Sequence, residues 1–175
     1  MLIVIAIIGI IASAAIPNYS RWKERYEIDG ETKKVYFDLL LAHSTAISNN
    51  HNVLVTFDSD NHIYRVHGDK NDNALEEAGE DIKSVKLNDE GRVQFNFNAG
   101  VSDVDGNPVL KPISFASNGN TITFNPRGQA STSGSIFLIH KNDIGVSNNR
   151  LRSINIIKST GSIESYEFTS EGVWR

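Results

Sequence analysis

The first sixteen residues of the chain carry no charged side chain, and Ser13 supplies their only hydroxyl group. A helix that is apolar around its whole circumference lies either in lipid or deep in a protein core. We therefore predict a membrane helix, with a signal peptide and a buried core helix as the alternatives. Sixteen helical residues rise about 24 Å, which is less than the ~30 Å of a hydrocarbon core. The missing basic segment disfavours a signal peptide.

Aromatic and basic side chains follow this run directly, as is typical of a membrane–water interface. They are Tyr19, Arg21, Trp22, Lys23, Arg25 and Tyr26. We assign residues 1–28 to the N-terminal membrane helix and residues 29–175 to a helix continuation with a globular β domain. Because the basic residues follow the apolar run, counting positive charges places that domain in the cytoplasm.

The helical pattern continues over residues 24–49, with a joint predicted at Asp29–Gly30. Apolar residues recur there at three- and four-residue steps, which places them on one side of the helix. They are Val35, Leu39, Ala42 and Ala46. The following segment, 49–52, is Asn-Asn-His-Asn, which ends the helix by turn chemistry.

Beyond residue 52 the period of the apolar residues changes to two, which predicts strands. We predict strands at 53–57, 62–66, 85–87, 92–97, 113–115, 121–124, 135–139, 153–157 and 163–168, with a short helix at 74–78. Strands in succession without long helices between them favour an antiparallel, sandwich-like domain. The predicted fold class is α+β, a long N-terminal helix packed on an antiparallel sheet.

Composition and motifs argue against several classes of function. The chain has no cysteine, so thiol chemistry and disulfides are excluded. No Gly-x-Ser-x-Gly or Gly-x-x-x-x-Gly-Lys motif occurs, and the histidines show no helical pair spacing. Between Asp58 and Asp105 lie twelve acidic and five basic residues, which disfavours a nucleic-acid groove there. We predict a protein that is not an enzyme and binds no cofactor.

One metal site has suitable spacing. Oxygen-bearing side chains fall at alternate positions of a calcium loop, at Asp69, Asn71 and Asn73, and Glu80 follows eleven residues after Asp69, where such a loop has its last ligand. Ala74 stands where such a loop needs glycine, so a solvated acidic loop is the alternative. A second oxygen cluster, at Asp103, Asp105 and Asn107, is equally compatible with an Asp-Gly turn.

The apolar run followed by Ile16-Pro17-Asn18-Tyr19 resembles the N-terminal helix of type IV pilins and type II secretion pseudopilins. The resemblance implies that residues 1–28 anchor the subunit in the bacterial inner membrane and later pack in the filament core. Gly9 and Pro17 match the positions at which that helix loosens, because glycine and proline both weaken a helix. The basic leader, the cleavage-site glycine and the glutamate of the family are not present, so we expect that the natural chain starts earlier.

Later segments are similar to the GspH/FimT group of minor pilins and pseudopilins. The matching motifs are the turn formed by Phe124, Pro126 and Gly128, the strands that follow it, and the helix motif around His43, where the group usually has arginine. The resemblance implies a non-catalytic, methylated subunit that assembles with other major and minor pilin-type subunits. It places the domain in the periplasm or on an extracellular filament, opposite to the charge count, and we follow the resemblance.

A DNA-uptake minor pilin is the alternative function. Some members of the group bind DNA through closely spaced arginines near the C terminus. The corresponding residues here are Arg150, Arg152 and Arg175, with Trp174 available for base stacking. The other interpretation of these residues is sheet-edge charge and an aromatic packed on the sheet, and we prefer it.

Overall fold

The computed structural model describes residues 2–71, 73, 77, 79–88, 90–117, 119–169 and 171–175, and the side chains of residues 2 and 5–18 lie outside that description. The helix α1 (Leu2–Asn49) continues through Asp29 and Gly30, so the predicted joint is wrong. Ile28 and Val35, on either side of Gly30, are buried. Their packing offsets the ~1 kcal/mol that glycine costs a helix interior.

The membrane prediction concerns mainly the first part of α1. Among the described residues, no helix is long and apolar enough to cross a membrane. Gly9 and Pro17, at which the sequence predicts loosening, belong to the segment 5–18, whose surroundings lie outside the described part. The assignment of residues 1–28 to a membrane or filament-core helix therefore stays a prediction.

The described residues after α1 form antiparallel strands in two sheets. The strands are β1 (Asn52–Asp58), β2 (Ile63–Asp69), β3 (Asp81–Lys86), β4 (Val93–Phe95), β5 (Ile113–Phe115), β6 (Thr121–Phe124), β7 (Gly134–His140), β8 (Arg152–Ile156) and β9 (Ile163–Glu167). The first sheet has the order β3-β2-β1-β6. The second has the order β4-β7-β8-β9, and β5 also pairs with β7. The predicted α+β fold is confirmed.

Some strand ends differ from the prediction for local reasons. The fourth strand ends at Phe95 rather than Phe97, because the side chain of Asn96 accepts the N–H of Phe97 at 2.8 Å. Such a local bond competes with the strand ladder. The second strand extends to Asp69, which pairs with Asn52 of β1. The predicted short helix at 74–78 falls mostly on residues outside the description.

The main core lies between α1 and the inner faces of both sheets. The helix contributes Ile28, Val35, Leu39, Ala42 and Ala46 to it. All five side chains are at most 1% exposed. They recur on one face, so the predicted amphipathic pattern is confirmed for this part of α1.

A second apolar cluster covers the outer face of the second sheet. Phe137 and Ile139 of β7 point into it, whereas Ile136 and Leu138 of the same strand point into the main core. This explains why β7 is a continuous apolar run, since a strand covered on both faces needs no polar side. Trp174 packs against this cluster, with its ring centroid 5.9 Å from that of Phe137.

Candidate functional site

The face of α1 opposite the main core is exposed and carries large apolar side chains in two groups, which Gly30 and Lys33 separate. The large side chains on it are Tyr19, Trp22, Tyr26, Phe37 and Leu41, which we call the helix stripe. At 3.6 residues per turn these positions lie within about 60° of one line, and that line runs opposite the buried face. Trp22 is 60% exposed and Phe37 is 61% exposed. Exposed apolar side chains grouped in this way on one helix face are typical of a protein or membrane contact.

The lower part of the helix stripe is a stack of aromatic rings. The ring centroids of Trp22 and Tyr26 lie 5.8 Å apart with an interplanar angle of 22°. Those of Tyr19 and Trp22 lie 6.0 Å apart. Contacts between aromatic rings hold these three exposed side chains against one another, although the domain does not bury them.

Just above this stack, α1 meets the β domain through ion pairs. Glu24 accepts a hydrogen bond from Asn142 Nδ2 at 2.8 Å and pairs with Arg150. Arg150 also binds both oxygens of Asp143, each at 2.6 Å. These hydrogen bonds and the charge of Asp143 raise the pKa of Arg150, and the charge of Glu24 adds to the effect.

Two further carboxylates of the helix flank Ile28. Glu27 pairs with Arg92 of the domain, and its second oxygen lies 3.3 Å from His140 Nε2. Asp29 accepts hydrogen bonds from Arg152, with distances of 2.9 Å to Nε and 2.8 Å to Nη2. We call Glu24, Glu27 and Asp29 with these partners the stem junction.

Higher on the helix, Asp38 forms a buried polar contact with the first sheet. Tyr64 of β2 donates a hydrogen bond to Asp38 at 2.5 Å, and Lys83 of β3 binds its other oxygen at 2.6 Å. Asp38 is 7% exposed, so Tyr64 and Lys83 supply the hydrogen bonds that water cannot freely supply to its carboxylate. Burial and the hydrogen bond to Asp38 raise the pKa of Tyr64 above its usual range.

The predicted family turn follows β6. The N–H of Gly128 donates to the carbonyl of Asn125 at 3.0 Å, and Gly128 has φ +78°. Proline at the second position and glycine at positive φ suit such a turn. The structure adds His43 of α1, whose Nε2 lies 3.0 Å from the carbonyl oxygen of Gly128. The ring of His43 also contacts that of Phe124 edge-on, with centroids 5.4 Å apart.

The arginines proposed for DNA contact are engaged within the protein or exposed. Arg152 is 4% exposed and lies between Asp29 and Glu167. The side chain of Arg150 is 14% exposed and holds two carboxylates, whereas that of Arg175 is 71% exposed. Trp174 Nε1 donates to the carbonyl of Ser102 at 2.9 Å. The arrangement does not favour DNA binding, which stays a prediction for these residues.

The calcium candidates belong to a loop at the end of β2. The N–H of Asn73 donates to Asp69 Oδ1 at 3.0 Å, and its Nδ2 donates to Glu77 at 2.8 Å. Asn71 Nδ2 also donates to Glu77, at 2.9 Å, and Glu80 Oε1 accepts the N–H of Lys70. Among the described residues no three histidine, aspartate or glutamate side chains converge on one metal position. Calcium binding here stays a prediction.

Sequence reasoning missed the stem junction. Its partners are far apart in the chain, with 126 positions between Glu24 and Arg150 and 123 between Asp29 and Arg152. No periodicity links such residues. The signal available was three carboxylates within six residues of the helix, at 24, 27 and 29, and two arginines at 150 and 152 next to a predicted strand.

Comparison with solved structures shows the same fold in a minor pseudopilin and a minor pilin. The minor pseudopilin EpsH from the type 2 secretion system of Vibrio cholerae is similar with a TM-score of 0.53 at 14% identity, over 81% of this chain and 97% of that one. The type IV minor pilin FimU of Pseudomonas aeruginosa is similar with a TM-score of 0.54 at 13% identity, over 82% and 90%. At these identities the likeness concerns the fold.

Sequence comparison gives the family. No curated protein matches the chain. The family model described as type II transport protein GspH matches residues 31–160, which is most of the chain. The match includes the His43 helix segment and the turn at Gly128. This protein therefore belongs to the GspH family of type II transport proteins.

Proposed function

We propose that the protein is a non-catalytic minor subunit that assembles with other pilin-type subunits through the exposed face of α1. The observation that carries the proposal is the helix stripe. Its aromatic and aliphatic side chains lie opposite the face buried by the domain, so folding of this chain alone leaves them in water. Burial against a neighbour returns about 25 cal/mol for each Å² of apolar surface.

In this proposal the apolar residues 1–16 anchor the subunit in the inner membrane before assembly and lie in the filament afterwards. Gly9 and Pro17 allow the helix to loosen when it packs. The domain then lies in the periplasm or on the filament. Support comes from the family membership and from the apolar run itself.

Site-specific photo-crosslinking in the native host tests the assembly role. A photoreactive amino acid replaces Trp22 or Phe37 of the helix stripe, and in the control it replaces Leu110, which is 81% exposed on the domain. We expect covalent adducts with pilin-type subunits at Trp22 and Phe37 and none at Leu110. Equal adducts at all three positions, or none at the stripe, would contradict the proposal.

A functional assay complements the crosslinks. Trp22→Asp and Phe37→Asp place a charge on the contact face without touching the core, and Leu110→Asp places one on an exposed site of the domain. Because the charge must lose water at a subunit contact, we expect secretion or filament assembly to fail for the first two variants only. Thermal unfolding of each variant confirms that the domain is intact.

A further inference from the structure

The stem junction sits where α1 leaves the domain. Below it the helix continues to residue 2, and above it the apolar face of α1 is buried in the main core from Ile28 onward. We define the stem as residues 2–23 of α1. The ion pairs made by Glu24, Glu27 and Asp29 are therefore the described polar contacts of the domain that lie nearest to the stem.

The three carboxylates are arranged around Ile28 rather than along one line. Glu27 and Asp29 leave the helix about 100° to either side of Ile28, and Glu24 lies about 40° from it, one turn earlier. Each meets a different element. Arg92 precedes β4, Arg150 belongs to the loop after β7, and Arg152 begins β8.

Ion pairs on both sides of Ile28 restrain rolling and tilting of the helix, which an apolar contact alone does not restrain. Apolar packing is not directional, so Ile28 alone permits the helix to roll or tilt on the sheet. Charge-assisted hydrogen bonds depend on direction. The side chains of Glu24 and Glu27 are 17% and 14% exposed, so solvent screens these pairs only in part.

We propose that Glu24, Glu27 and Asp29 are positioning residues that fix the angle at which the stem leaves the β domain. The stem junction thus sets the orientation in which Tyr19 and Trp22 are offered to a partner. The biological use of a fixed stem direction rests on the proposed assembly function. The physical content of the inference, a fixed stem direction, is a property of the isolated chain.

Pulsed electron paramagnetic resonance on the purified chain of residues 1–175 in detergent tests the inference. The chain has no cysteine, so two introduced cysteines can be spin-labelled selectively. One pair joins Ser20 on the stem to Ser165 on β9, and a second pair joins Ser48 near the end of α1 to Ser165. All three residues are exposed.

In the variant Glu24→Gln/Glu27→Gln/Asp29→Asn we expect the Ser20–Ser165 distance distribution to become at least twice as wide. The Ser48–Ser165 distribution should stay unchanged, which shows that the domain and the upper helix remain folded. The matched control is Glu31→Gln/Lys34→Gln, which removes an ion pair within the helix that lies above the stem junction. It should leave both distributions unchanged.

Two outcomes would overturn the inference. An unchanged Ser20–Ser165 distribution in the triple variant would show that apolar packing alone holds the stem. Equal broadening in the Glu31→Gln/Lys34→Gln control would show that any loss of charge loosens it. If the triple variant loses the folded domain, Glu27→Gln alone provides the test, with a broader Ser20–Ser165 distribution expected and an unchanged one contradictory. No other subunit is present, so failure of the assembly proposal leaves these measurements unaffected.

Discussion

His43 on α1 lies with its Nε2 3.0 Å from the carbonyl oxygen of Gly128, although 85 positions separate the two residues in the chain. The same ring contacts Phe124 edge-on. This one side chain therefore joins the upper part of the helix to the turn between the two sheets. At this position the GspH/FimT group usually has arginine, which is also a hydrogen-bond donor.

Replacing His43 should destabilise the domain. His43→Ala removes a partner of the Gly128 carbonyl and the contact with Phe124, so we expect a loss of about 2–3 kcal/mol in the free energy of unfolding. Chemical denaturation monitored by circular dichroism measures it. The neighbouring exposed change Ser44→Ala is the control and should alter the free energy by less than about 0.5 kcal/mol. Equal effects would contradict the role of His43.

Gly161 should tolerate no side chain, because His43 and the Gly128 turn crowd it. A Cβ at Gly161 would lie 2.3 Å from the carbonyl oxygen of Gly128 and 2.9 Å from the His43 ring. Gly91 has the same φ of +61° but nothing within 4 Å. We expect Gly91→Ala to cost about 1–2 kcal/mol from its backbone conformation alone. Gly161→Ala should cost about 1–3 kcal/mol more, from overpacking. Equal melting temperatures of the two variants would contradict this.

The stability of the protein should fall at high pH through Tyr64. Burial and the Asp38 hydrogen bond raise the pKa of Tyr64 in the folded state above its ordinary value of 10.0. The folded state then keeps a proton that the unfolded chain releases. Its contribution to stability is therefore fully present below pH 10 and is lost as the pH rises toward the folded pKa.

The Tyr64→Phe variant isolates this effect. We expect its free energy of unfolding to depend less steeply on pH above 10 than that of the unchanged protein. Tyrosinate absorbance should show the same number of ionising phenols in both folded proteins. If folded Tyr64→Phe shows one tyrosinate fewer than the unchanged protein, then Tyr64 ionises in the folded state, and the prediction is wrong.

Two arginines with glutamate partners should differ in their effect on stability. Arg152 is 4% exposed between Asp29 and Glu167, whereas the side chain of Arg175 is 71% exposed beside Glu171. Arg152→Met leaves two carboxylates without their cation and should cost about 1–3 kcal/mol. Arg175→Met breaks an exposed pair and should cost less than about 1 kcal/mol. The reverse order in thermal denaturation would contradict the assigned contacts.

Much of the fold follows from local patterns in the sequence. Alternation predicts strands such as 121–124 and 135–139, and the steps from Val35 to Ala46 predict the buried face of α1. These signals are read over a few neighbouring residues, because the period of the side chains identifies the element. The Gly128 turn was predictable for the same reason, since its proline and glycine have fixed conformational roles.

The stem junction was not predictable because charge has no period. Arg150 and Arg152 look alike in the sequence whether they face phosphate or carboxylate, and only the folded chain brings Glu24 and Asp29 to them. The same holds for Asp38, whose partners Tyr64 and Lys83 come from two strands. Side-chain pairing between distant segments depends on topology, which local patterns leave open.

The central strand β7 has a consequence for how the domain opens. Ile136 and Leu138 support the cluster beneath α1, while Phe137 and Ile139 support the outer cluster. Loss of either cluster uncovers one face of β7, and the other cluster packs on the opposite face of that same strand. The two clusters therefore melt as one cooperative unit, and the amides of β7 are the last to exchange their hydrogens with water.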